Sequence, residues 1–141
     1  MDSRVTFTRL DPDAVDPADR FQRLRRELDV DAFGLNLIVL APAQRNRIHR
    51  HSRQEEVYLV LAGTLTLLVE GEERELRRGE LARVPGALRR QLVNRGPERL
   101  ELLAVGGAAH HEGRDAEAFR SWDQERGAPP QETPLPEDLP A

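Results

Sequence analysis

The sequence predicts an all-β fold, a small antiparallel sandwich or barrel. Two observations carry this. Short runs rich in β-branched and aliphatic residues recur from Val57 to Val105, separated by glycine, proline and charged turns. Ahead of them stands a strongly apolar run, Gly34-Leu35-Asn36-Leu37-Ile38-Val39-Leu40, stopped by Pro42.

Taken in order, residues 4–8 alternate and predict a short strand. Asp16-Pro17-Ala18-Asp19 reads as a helix start, with Asp16 as N-cap and Pro17 in the first helical position. Phe21, Leu24 and Leu28 continue it at helical spacing with arginines between, so residues 1–32 form a packing arm of strand and short helix. The apolar strand over 33–41 opens the central domain. Val57-Tyr58-Leu59-Val60-Leu61-Ala62 is the next clear strand and Gly63 closes it. Strands over 64–69 and 73–76 flank Glu70-Gly71-Glu72, a hairpin tip. After the turn Arg77-Arg78-Gly79-Glu80 come strands over 81–84, 89–94 and 100–105, the last preceded by the turn Arg95-Gly96-Pro97-Glu98. Gly106-Gly107 ends a domain that runs from 33 to 106. Residues 107–141 form a C-terminal arm. Within it, 115–126 predicts a short helix carrying Phe119 and Trp122, and 127–141, with five of the ten prolines, predicts an extended or disordered tail.

Composition narrows the chemistry. A chain of 141 residues is one domain with room for a real core. The formal charge of −4 favours neither nucleic acid nor an acidic membrane as partner. All 21 residues counted as Lys+Arg are arginine, so Schiff-base and pyridoxal chemistry are excluded. Cysteine is absent, which removes thiol nucleophiles, thiolate metal sites and disulfides. No apolar run has the length of a membrane span and the N-terminus lacks a signal-peptide core, so the expected location is the cytoplasm.

The chemistry-bearing residues cluster in Ile48-His49-Arg50-His51-Ser52-Arg53-Gln54-Glu55-Glu56-Val57-Tyr58. Residues two apart on a strand point to one face, so His49 and His51 aim both imidazoles at one point. A turn through Ser52-Arg53-Gln54 brings Glu56 back toward it on the next strand. Two imidazoles and a carboxylate suit non-haem iron, and also zinc or manganese. The same alternation puts Tyr58 on the face of Glu56 and Arg47 on the face of His49, and turns Glu55 outward. His110 and His111 are adjacent, point oppositely on a strand, and read as surface residues.

These stretches resemble the two motifs of the cupin superfamily, and the chain looks like a single-domain small cupin of the conserved barrel type. The first motif, G-x5-H-x-H-x3/4-E-x6-G, is matched by His49, His51, Glu56 and Gly63, with Ala43 at the leading glycine. The second, G-x5-P-x-G-x2-H-x3-N, is matched by Gly79, Pro85 and Asn94, with Ala87 at its second glycine. The resemblance covers residues 33–106 and implies a small jelly-roll barrel. It also implies a divalent transition metal (Fe, Mn, Zn or Ni) on His49, His51 and Glu56. Arg90 stands where the family carries its last histidine ligand, and guanidinium has no lone pair to offer a metal. If the barrel closes as in the family, Arg90 enters the pocket beside Glu56, its natural partner for a charged pair.

Three functions remain open on these residues. One is a metal-binding cupin or metal-dependent enzyme performing oxygenation, isomerisation or decarboxylation, with Arg90, Tyr58 and Arg47 as ligand-binding residues. The second is a metal-free module binding a small polar molecule. The third is a metal-free epimerase-like enzyme with a histidine base and Tyr58 as acid, for which no relay carboxylate is evident in the sequence. Expected partners are a small-molecule ligand and a second copy of the chain, since open sheet edges invite pairing.

Overall fold

The computed structural model of the chain describes residues 4–107 and 115–140. In chain order its elements are β1 (Phe21–Gln22), α1 (Leu24–Leu28), β2 (Gly34–Leu40), β3 (Ile48–His51), β4 (Glu55–Ala62), β5 (Thr64–Val69), β6 (Glu72–Arg77), β7 (Leu81–Val84), β8 (Arg90–Val93), β9 (Leu100–Gly107) and β10 (Ala116–Phe119). Single 3-10 turns occupy Pro12–Ala14 and Pro130–Glu132. The strands form two five-stranded antiparallel sheets, in the orders β1-β2-β9-β4-β7 and β10-β3-β8-β5-β6. This is the expected jelly-roll barrel, with little helix. No helix among the described residues is long and apolar enough to cross a membrane.

The core lies between the sheets and follows strand parity. Ile38 and Leu40 of β2, Tyr58 and Val60 of β4, Leu65 and Leu67 of β5, Leu92 of β8, and Leu100 and Leu102 of β9 pack inward. β2 is apolar on both faces for a separate reason. Its alternate residues Leu37 and Val39 turn outward and are covered by Leu24 of α1.

The turns account for the motif residues that carry no chemistry. Gly63 has φ +76°, and a Cβ there would stand 2.6 Å from the Arg99 carbonyl oxygen, so only glycine fits. Asn94 is fully buried. Its Nδ2 donates to the carbonyls of Leu40 and Glu98, and its Oδ1 accepts from the Gly96 amide. It pins the turn before β9. Ala43, at the motif's leading glycine, has φ +72°. A side chain is carried there in a backbone conformation that favours glycine. Ala87 is not among the positive-φ residues, so alanine is unstrained at that departure from the motif.

Three expectations for the arms are corrected. Residues 4–8 form no strand; Val5 and Phe7 are 78% and 84% exposed. The helix expected from Asp16 is confined to Leu24–Leu28. Asp16 instead caps a tight turn, its Oδ1 accepting from the Ala18 amide and its carbonyl from Arg20. Arg20, at φ +75°, breaks any helix, and Phe21 and Gln22 pair with Ile38 and Leu37. The helix expected over 115–126 is β10. Its four residues pair with all four of β3, and Phe119 is buried where a helix would have left the β3 edge open. The proline-rich stretch passes through the 3-10 turn at Pro130–Glu132 and runs on as a strap tied to the barrel. Thr133 and Glu137 carbonyls accept from Arg47 and Arg45 Nε, and the Leu139 amide donates to Ala43. His110 and His111 lie outside the described residues.

Candidate metal centre

The polar end of the barrel interior is built on β3, β4 and β8. His49 and His51 share a face of β3, and the turn over 52–54 returns the chain so that Glu56 of β4 faces them from the opposite sheet. His49 lies opposite Arg90 in the β3–β8 register, so the arginine occupies the expected position between the sheets.

Four side chains converge on one atom, Oε1 of Glu56. His51 Nε2 is 3.0 Å away, His49 Nε2 3.6 Å, the Tyr58 hydroxyl donates at 2.7 Å, and Arg90 Nη2 is 3.2 Å away. The two rings meet edge to face at 5.3 Å between centroids. Each ring is held through its other nitrogen. His49 Nδ1 lies 2.9 Å from the Arg47 carbonyl, and His51 Nδ1 lies 2.8 Å from Asp115 Oδ1. A carbonyl and a carboxylate can only accept, so both Nδ1 atoms carry the proton and both Nε2 atoms turn toward Glu56.

Asp115 is the site residue that sequence reasoning missed. It supplies the histidine's partner carboxylate, fixes the amides of Arg53 and Gln54 through Oδ2, and accepts from Gln54 Nε2. Its side chain is nearly inaccessible, at 1%. Two glycines make room: a Cβ on Gly106 would press on Gln54 and on Cγ of Glu56, and one on Gly86 would collide with the Gln54 carbonyl.

Burial opposes charge on Glu56, His51 and Tyr58, and their neighbours override it at the first two and reinforce it at the third. At Glu56, burial is overridden by the hydrogen bonds and charges of His49 and His51, which hold the carboxyl well below the usual carboxylate range. At His51, burial is outweighed by Glu56 and then by Asp115, so its pKa is raised. For Tyr58, burial and the Glu56 charge act together and push the phenol well above its ordinary value.

Arg90 is fully buried. Nη1 donates to the Gly86 and Leu88 carbonyls, Nε donates to the Tyr58 hydroxyl at 3.3 Å, and Nη2 contacts Glu56 as a charge without a directed hydrogen bond. It stands behind Glu56, outside the lining of the adjoining cavity. Arg47 is in that lining. Its Nε donates to the Thr133 carbonyl, and it has no carboxylate within 4 Å among the described residues. Burial and the like charge of Arg20 lower its pKa. Glu55 faces outward and pairs with Arg83.

The cavity beside the cluster has a volume of about 180 Å3 and is bounded by Phe21, Ile38, Arg47, Tyr58, Leu92 and Pro130, with His49, His51 and Glu56 at its polar end. A second, outer chamber of about 540 Å3 shares Asn36, His51, Glu56 and Ala104 with it.

One donor atom from each of His49, His51 and Glu56 lies within 4.8 Å of the other two. This donor set fits one transition-metal ion. The donors are imidazole and carboxylate, and each imidazole is braced through Nδ1 as metal-bound histidines usually are.

Comparison with known proteins agrees with the architecture. The structure is similar to one from Acidithiobacillus ferrooxidans with the provisional designation sugar phosphate isomerase, at 27% identity and TM-score 0.57, over 61% of this chain and 56% of that one. The chain thus spans little more than half the length of that protein. It is similar to a Cupin 2 conserved barrel domain protein from Salinispora arenicola, at 25% identity and TM-score 0.64, over 76% and 92% of the two chains. It also shares its fold with a sugar phosphate isomerase of the cupin superfamily from Silicibacter pomeroyi, at 23% identity and TM-score 0.66, over 91% and 96%. No protein of curated function matches. The family model for the cupin domain matches residues 36–106, half of the chain. With both motifs placed on facing sheets around one polar cluster, the chain belongs to the cupin domain family.

Proposed function

We propose that the protein binds a small polar or anionic molecule in the inner cavity, at a divalent transition metal held by His49, His51 and Glu56. One observation carries this reading. Both histidines commit Nδ1–H to acceptors, which leaves two lone pairs and a carboxylate oxygen turned on one another. Such a set requires a cation or extra protons between its members. A bound metal would supply Lewis-acid polarisation of a ligand oxygen.

The protein's own groups have distinct parts. Asp115 and the Arg47 carbonyl orient the rings. Arg90 holds Glu56 from behind and takes the place of a fourth ligand. Arg47, lining the cavity without a counter-ion, receives a negative group of the bound molecule. Tyr58 keeps its proton and donates it as a hydrogen bond.

A second reading is favoured by the His51–Asp115 pair. Without a metal, the two form a braced general base beside Tyr58, the arrangement an epimerase or isomerase needs. The designation of the Acidithiobacillus protein agrees with such proton-transfer chemistry.

Elemental analysis of untagged protein, with calorimetric titration of zinc, manganese and iron(II), separates the two. The metal reading expects close to one equivalent, and expects Arg90→His to bind at least about tenfold tighter by completing the ligand set. No metal uptake after reconstitution sinks it and leaves the acid–base reading. We also propose that the chain is a homodimer, because β7 is an edge strand with Leu81 exposed on it, and Val5 and Phe7 present further apolar surface in the N-terminal arm. Light scattering that finds a monomer at high concentration would refute this.

A further inference from the structure

The outer chamber has a chemistry of its own. Arg23, Arg25 and Arg26, on and beside α1, all line it. Arg23 is neutralised by Asp19, which it grips through both Nη atoms at 2.6 and 2.8 Å. Arg25 and Arg26 have no carboxylate within 4 Å and no side-chain hydrogen bond among the described residues. The Nε of Arg25 is buried with no partner. A guanidinium with neither acceptor nor counter-charge of its own gains from an anion brought within reach of its fork. The remaining polar lining includes the amides of Asn36 and Gln131, and the single carboxylate in the chamber is Glu56 at its inner limit. In a chain of net charge −4, this chamber is locally cationic.

We infer that the outer chamber is the subsite for the phosphate of a phosphate monoester, whose carbon skeleton reaches inward past His51 to the polar cluster. Two unneutralised guanidinium forks match a dianion; a single carboxylate would leave one of them unpaired. The two chambers adjoin, with Asn36, His51, Glu56 and Ala104 in the lining of both, so a ligand occupying both would lie along these four residues. Gln131 lies in the C-terminal strap, which makes the strap part of the chamber wall. The inference rests on the inner cavity being a small-molecule site, but it concerns different residues from the metal.

The test uses the intact chain with inorganic phosphate and glycerol 3-phosphate as probes, and acetate and glycerol as controls at matched ionic strength. The Nε–Hε signal of Arg25 is followed by nitrogen–proton correlation spectroscopy, which needs no variant to fold. Both phosphate probes should move that signal saturably and the controls should not. Glycerol 3-phosphate should bind tighter than phosphate alone. Arg25→Gln and Arg26→Gln should each weaken phosphate binding about tenfold or more, the loss expected for a charged hydrogen bond, while zinc titrates as in the parent. If neither probe moves the Arg25 signal at tens of millimolar, or acetate moves it equally, the subsite is refuted even if zinc binds. If zinc does not bind but phosphate does and depends on Arg25, the metal reading fails and the subsite stands.

Discussion

His49 and His51 sit two residues apart on one strand face, yet different regions of the molecule hold them. His49 is braced locally, by the carbonyl of Arg47 two residues earlier, just ahead of β3. His51 is braced by Asp115, 64 residues away, at the entrance to β10. The first brace is backbone and forms whenever β3 forms. The second is a carboxylate and exists only when the C-terminal arm has docked on the β3 edge. One half of the site is therefore local and the other half is conditional on tertiary structure. The two halves meet at Oε1 of Glu56, with Arg90 behind it.

The largest expected effect is at that meeting point. Arg90→Ala leaves Glu56 without its buried counter-charge and the Gly86 and Leu88 carbonyls without a donor. Stability should fall by roughly 3–5 kcal/mol, read by denaturant unfolding. A loss under about 1 kcal/mol would mean that the pair is not what holds the two sheets at this end. Asp115→Asn tests the conditional half alone. It keeps the volume but removes the charge that favours Nδ1–H on His51, so metal affinity should drop about 10- to 100-fold by calorimetry. An unchanged affinity would show that the strand positions His51 as firmly as it does His49.

Ala43→Gly acts on the strap's anchor, since the Ala43 carbonyl accepts from the Leu139 amide. Relief of the positive φ should raise stability by about 1 kcal/mol, seen as a higher thermal midpoint, without touching either imidazole. The smallest effect concerns β10 itself. The Gly127 amide bonds Glu117 and lowers its pKa, against burial and with help from Arg50. A lowered folded pKa gives stability that is present above the ordinary value of 4.5 and lost as pH falls through the folded pKa. The parent should therefore be more stable than Glu117→Gln at neutral pH, and the gap should close below about pH 4. A gap that widens on acidification would remove Glu117 from the docking of the arm.

The same division explains what the sequence discloses. His49, His51, Glu56 and Tyr58 are legible because strand alternation fixes their faces and a short turn fixes their order. Arg90 is legible through its spacing from Pro85 and Asn94, although its complete burial is not. Asp115 is hidden because its segment carries Phe119 and Trp122 at a spacing that also fits a helix; the open edge of β3 decides in favour of a strand. Asp16 and Pro17 mislead in the same way, because an Asx turn and a helix N-cap use the same residues. The unpaired state of Arg25 and Arg26 is invisible in a run that reads as an ordinary solvated helix face. Local periodicity reports faces; it does not report which distant carboxylate, if any, arrives.

The docking of β10 on β3 bears on how the protein can be cut. The family match stops at residue 106, and a chain trimmed there would retain every motif residue. It would lose Asp115, Phe119 and the four paired residues that cover β3. The exposed edge would then offer unpaired amides and carbonyls to the same edge of another molecule, and self-association would compete with folding. The smallest unit recognisable by motif is thus shorter than the smallest unit that keeps its own edge closed.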